Sequence, residues 1–122
     1  MKTHTGTCKP FDVVVVPFPF TDSPASKRRP ALVLSRQDEF NAPAGHSVMA
    51  MITSAKNAAW PLDARIRDQG GAGLPAPSVV RMKLFTLDNR LVIRKIGVLA
   101  ETDRQAVSGA LRQLLPDSMT AR

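Results

Sequence analysis

Three cations stand side by side at Lys27, Arg28 and Arg29, directly before Pro30 and a run of strand-forming residues, in the stretch SKRRPALVLS. Side chains at the lip of a strand are exposed, repel one another and add nothing to a core, so they either solvate a loop or hold something negative. Arginine suits the second task, because a guanidinium stays charged and its fork of donors matches two phosphate oxygens at once. A second basic pair, Arg81 and Lys83, alternates with Val80, Met82 and Leu84. That period of two puts cations on one face of a strand and apolar side chains on the other. No Cys/His pair and no cluster of metal-ligand spacing accompanies them, so neither a metal nor a cofactor is expected. His4 and His46 read as incidental, and Cys8, the single cysteine, excludes an internal disulfide.

The elements that must position these residues follow from the flanking pattern. Phe11 to Val16 is β-branched and apolar, a strand. Pro17 and Pro19 remove two donors from one side of its ladder, so it must end there or lie on an edge. Residues 21–28 form a polar loop rich in turn residues, and Pro30 to Ser35 makes a second strand. SVMAMIT, from Ser47 to Thr53, is apolar on both faces and therefore central. Residues 60–66 read as a short strand, and Gly70, Gly71 and Gly73 as a loose connection. Ser78 to Leu87 is a strand, Asp88-Asn89 a tight-turn pair that tolerates positive φ, and Leu91 to Val98 its returning partner. At the end, Thr102 with Gln105 has the capping-box pattern. Ala106, Val107, Ala110, Leu111, Leu114 and Leu115 fall on one helical stripe, and Pro116 stops it. Five or six short strands and one helix suit a mainly β fold: a small, strongly bent sheet or barrel with a C-terminal helix packed on it.

At 122 residues one domain, 1–122, is expected, with 1–10 a mobile tail that includes Cys8 and 11–115 the barrel and helix. The net charge of +7 favours polyanions: nucleic acid, an acidic membrane surface or an acidic protein. The longest apolar run, Val13 to Phe20, is broken by two prolines and far too short to span a bilayer. The polar start lacks the apolar stretch of a signal peptide, so the chain reads as soluble and cytoplasmic. With five Phe, one Trp and no Tyr, only Phe18, Phe20 and Trp60 offer stacking surfaces, too few for long non-specific coating of a single strand.

Four segments together carry a family resemblance: FDVVVVPFPFTD, KRRPALVLS, AMITSA and GLPAPSVVRMKLFTLDNRLVIRKIGVL. In this order, from about Phe11 to Leu115, the chain resembles the MazF/PemK family of toxin endoribonucleases. The resemblance implies an SH3-like barrel of the MazF/CcdB type with a C-terminal helix. It also implies a homodimer that cleaves single-stranded RNA without a metal and is held inactive by an antitoxin with an acidic, flexible segment. Arg29 matches the family's arginine before proline, and Thr53 the threonine closing the third strand, with Ser54 after it as in relatives. Arg81 matches an arginine of the PemK branch. Two residues further on, where that branch has an acid, stands Lys83, and the branch's first-loop histidine has no counterpart, the loop holding Asp22 instead.

Metal-free RNA cleavage uses the substrate's own 2′-hydroxyl as nucleophile. It needs a base for that proton, a stabiliser for the charged phosphorane and an acid for the leaving 5′-oxygen. Arg29 and Thr53 are the expected phosphate-binding catalytic pair. Asp22, the carboxylate nearest to Arg29 in sequence, is the expected base. Lys27, Arg28, Ser54, Arg81 and Lys83 are the expected RNA-binding residues. Two other functions share this barrel: inhibition of DNA gyrase, for which relatives use a terminal Trp-Gly-Ile-type tail where this chain ends Ser-Met-Thr-Ala-Arg, and RNA or antitoxin binding without catalysis.

Overall fold

The computed structural model describes residues 8–19 and 27–116. Its first strand, β1 (Asp12–Phe18), shows why the valine run matters: Val13, Val14 and Val16 are all fully buried, so both faces of the sheet are covered here. Five more strands join it: β2 (Lys27–Val33), β3 (His46–Ser54), β4 (Ala64–Arg65), β5 (Ser78–Asp88) and β6 (Arg94–Val98). All pair antiparallel in the order β4-β5-β3-β2-β1-β6, a curled half-barrel with β3 well inside it. A helix, Glu101–Leu114, follows β6.

Register assigns each side chain to a face. Val13, Leu32, Ala50, Ile52 and Val80 share one face and form the larger core with Leu99, Val107 and Ala110. Val14, Val16, Ala31, Val33 and Met49 share the other and pack with Cys8, Leu87 and Val92. Cys8 is therefore not part of a loose tail: it is 1 % exposed, and its carbonyl accepts from Asn41 Nδ2 at 2.9 Å. Burial pushes its thiol pKa up to about 11, with Asp12 adding to the shift and Lys95 opposing it.

The open side of the half-barrel is closed by the loop after β4. Val98 N donates to Gly71 O at 3.2 Å, and Gly73 takes φ +75° where a side chain would strike the Ile96 carbonyl. Gly97 approaches Ala72 as closely from the other side. Gly73, one of the three glycines expected to loosen this connection, instead lets two backbones touch.

Several sequence expectations change. β1 runs through Pro17 because β6 pairs only as far as Val15; Ile93 N bonds Val15 O, and Pro17, two residues on, faces the same side beyond the end of β6. Leu91–Val98 is not the hairpin partner of β5, which lies between β3 and β4, whereas β6 pairs with β1. Asn89 prevents the hairpin: it accepts from Ser47 Oγ at 2.7 Å and donates to Asn41 O at 2.8 Å, fixing a 3₁₀ turn, Asn89–Leu91. Of residues 60–66 only Ala64–Arg65 is strand. The helix begins after Ala100 with no side-chain cap, and Thr102 and Gln105 are exposed within it. Ala106, Leu114 and Leu115 are also exposed, and Asp103 takes a buried place instead, accepting from Arg67 N and Asp68 N at 2.9 Å each. Among the described residues no helix is long and apolar enough to cross a membrane.

Candidate functional site

The β2–β3 ladder ends at the pair Ala31↔Met51. Two residues further along each strand stand Arg29 and Thr53. Continued register would set them opposite each other on one face, just beyond the last paired residues. On the other side of β3, Arg81 pairs with Met51 and so shares that face. The result is a groove of about 250 Å³ lined by Phe18, Met51, Thr53, Arg81, Lys83, Leu84 and Phe85. Leu84, expected on the apolar face away from the cations, lines the groove with them and is 40 % exposed. The cause is a register slip in β5, where Ala50↔Leu84 is followed by Met51↔Arg81.

Each polar group in the groove is held. The Arg29 guanidinium sits over the Phe18 ring, 5.6 Å from its centroid. Asn57 Nδ2 donates to Thr53 Oγ1 at 2.6 Å, which occupies a lone pair and leaves the hydroxyl proton to donate elsewhere. Ser54 is turned to local work, its Oγ accepting from Lys56 N at 3.1 Å. Arg81 meets Asp63 fork to fork, Nε to Oδ1 at 3.1 Å and Nη2 to Oδ2 at 3.0 Å, and Nη2 also reaches Ala58 O at 2.8 Å. The hydrogen bonds to Asp63 hold the Arg81 pKa above its ordinary value. Trp60 covers the pair of cations, with Arg81 Cζ 5.6 Å and Lys83 Nζ 5.1 Å from its ring centroid.

Of the residues singled out in the sequence, Thr53, Arg81 and Lys83 line this groove, and Arg29 adjoins it through the Phe18 ring. Lys27 is exposed opposite Phe18. Arg28 points to the other face, and it and Arg29 both line a larger cleft, about 620 Å³, with Gly73, Leu74, Pro75, Arg94 and Lys95. Asp22 lies outside the described residues, as do Phe20 and His4. Sequence reasoning missed Asp63, Asn57, Arg94 and Lys95. Asp63 lies 18 positions from its partner, and no local pattern announces such a pair. Among the described residues no group of three or more His, Cys, Asp or Glu is placed to hold a metal ion.

The groove thus carries a lysine ammonium, a guanidinium paired with Asp63 and a threonine hydroxyl. The profile of the PemK-like, MazF-like toxins of type II toxin–antitoxin systems matches residues 9–115. The chain belongs to this family.

The PemK/MazF assignment is matched by shape. The chain superimposes with a TM-score of 0.70 on the toxin of a MazE–MazF structure from Deinococcus radiodurans, at 22 % identity, covering 89 % of this chain and 96 % of that one. The Mycobacterium tuberculosis toxin MazF-mt6 gives 0.65 at 23 % identity, with 84 % and 93 % covered. An endoribonuclease bound to its cognate antitoxin, from a mycobacterial species, gives 0.67 at 15 % identity, with 92 % and 98 % covered. At these identities the likeness is one of fold. No curated protein sequence matches the chain. For this PemK/MazF member, the matched span includes every residue placed around the groove.

Proposed function

We propose that this toxin-family chain is an endoribonuclease that cleaves single-stranded RNA through attack of the substrate's 2′-hydroxyl, with no metal in the reaction. The β2–β3 register, which extended past Ala31↔Met51 sets Arg29 facing Thr53, supports the reading. Arg29 braces two non-bridging oxygens of the scissile phosphate as it becomes a dianionic phosphorane, a contribution of about 100- to 1000-fold in rate for one preorganised donor. Thr53, its lone pair occupied by Asn57, donates its proton to a phosphate oxygen. The 2′-hydroxyl proton passes to a base, for which we assign Asp22. The P–O5′ bond breaks, the 5′-oxygen takes a proton from water as it leaves, and the products are a 2′,3′-cyclic phosphate and a 5′-hydroxyl. Lys27, Arg28, Ser54 and Lys83 bind the strand on either side, and Arg81, paired with Asp63, braces that surface.

The active form in this reading is a cytoplasmic homodimer, and an acidic antitoxin segment competes with RNA for the groove beside Arg29. The test is a digest of long single-stranded RNA in EDTA with end mapping. Cyclic-phosphate and 5′-hydroxyl ends that disappear in Arg29→Ala are expected. Intact RNA at high enzyme excess would overturn the reading and leave binding without catalysis, and inhibition of gyrase supercoiling would replace it.

A further inference from the structure

Trp60 is the only tryptophan in the chain, and 42 % of its surface remains exposed. Its position is fixed with unusual care for a loop residue. Trp60 N donates to Asp63 Oδ2 at 3.1 Å, and Asp63 N returns to Trp60 O at 3.2 Å. The same carboxylate grips Arg81 through both oxygens. Between them Leu62 takes a left-handed φ of 65°, a conformation that costs a branched residue energy and persists only where its surroundings dictate it. The turn therefore spends strain to set an indole against Arg81 and Lys83, two of the residues that line the groove. The Lys83 ammonium rests over the ring, within reach of a strand lying along the groove.

We infer that Trp60 is a stacking platform for one base of the RNA strand next to the cleaved bond, held by the Asp63–Arg81 latch, with Lys83 meeting the adjoining phosphate. The inference rests on the nuclease reading above and adds a specificity residue to it. A purine, with the larger π-face, is the base the platform favours. Arg81 in this arrangement positions the indole and is not itself the phosphate ligand. Asp63 is likewise a positioning residue, one step removed from the RNA.

The sole indole makes the test direct. Trp60 fluorescence is titrated with a single-stranded oligonucleotide carrying the mapped cleavage motif, made uncleavable by a 2′-deoxy nucleotide at the cut. Saturable quenching is expected, and an abasic nucleotide at one flanking position should abolish it. In steady-state cleavage, Trp60→Ala should raise KM about 5- to 100-fold, the range of one lost base stack, while kcat changes less than about threefold. Trp60→Phe should restore most of the loss, and Asp63→Asn should raise KM with kcat held. Unchanged fluorescence at saturating RNA, or a Trp60→Ala KM within twofold of wild type, overturns the platform while Arg29-dependent cleavage still stands. Quenching by a polyglutamate peptide but not by RNA also overturns it. Quenching by RNA with no cleavage anywhere would keep the platform and sink the nuclease.

Discussion

Replacing Gly73 by alanine tests how the half-barrel is closed. A Cβ at this position would lie 1.9 Å from the Ile96 carbonyl oxygen and 2.7 Å from its carbon. The obstacle is backbone, in a strand already bulged against β1 between Val13 and Val14, so it cannot turn aside as a side chain would. The φ of +75° adds a left-handed cost of about 1–2 kcal/mol for any residue with a Cβ. Overpacking adds about 1–3 kcal/mol. Together these predict a loss of roughly 2–5 kcal/mol, which for a domain of this size lowers Tm by about 10–30 °C. Gly70, three residues earlier, has nothing within 4 Å of a Cβ, and Gly70→Ala should stay within about 0.5 kcal/mol of wild type. Urea and thermal denaturation of the pair, followed by circular dichroism, give the comparison. Equal stability of the two variants would refute the closure of the sheet by this loop against β6.

Four further outcomes follow from the same geometry. Asn57→Asp makes that side chain an acceptor for the Thr53 proton, so the cleavage rate should fall about 10- to 100-fold, as in Thr53→Val, with melting unchanged; full activity in a cleavage assay would contradict it. Asn41→Ala strips partners from the buried carbonyl of Cys8 and the half-buried one of Ser35 and should cost about 2–4 kcal/mol by urea titration. Asp88, held down to a pKa of about 2 chiefly by the Arg90 side chain, contributes stability that is complete above its unfolded value and lost as pH falls toward 2, so Asp88→Asn should flatten the acid limb of a stability–pH profile. Cys8 has a raised folded pKa, so its contribution is complete below the ordinary thiol value of 9.0 and lost as pH rises toward about 11. Its thiol should react with maleimide in denaturant and stay unlabelled in the native protein at neutral pH.

The sequence made legible what depends on neighbours along the chain. A valine run, an Arg-Pro step and a strand apolar on both faces defined β1, β2 and β3, and their order placed Arg29 and Thr53 at facing ends. The resemblance to the family named those two residues and Arg81, and the barrel with its helix followed from both readings. What stayed hidden depends on contacts between distant residues. Asp88-Asn89 has the chemistry of a hairpin turn, yet Asn89 is engaged by Ser47 and Asn41, so β6 crosses to β1. Thr102 offers a helix cap, yet the chain enters the helix earlier, where Asp103 ties it to Arg67 and Asp68. The alternation through Arg81 to Leu84 breaks at a bulge that no period of two reveals. Asp63 stood within a short predicted strand, and only folding shows that its carboxylate belongs to Arg81.

The most direct measurement replaces one atom of the substrate. A single-stranded RNA bearing the mapped motif is compared with the same strand lacking only the 2′-oxygen 5′ to the cut, at equal enzyme and in EDTA. Arg29 bracing an attack by the ribose predicts that the deoxy strand binds as tightly as the ribo strand and is not cut at all, while the ribo strand is cut at least 100-fold more slowly by Arg29→Ala than by wild type. Scission of the deoxy strand at the same bond would contradict that chemistry outright.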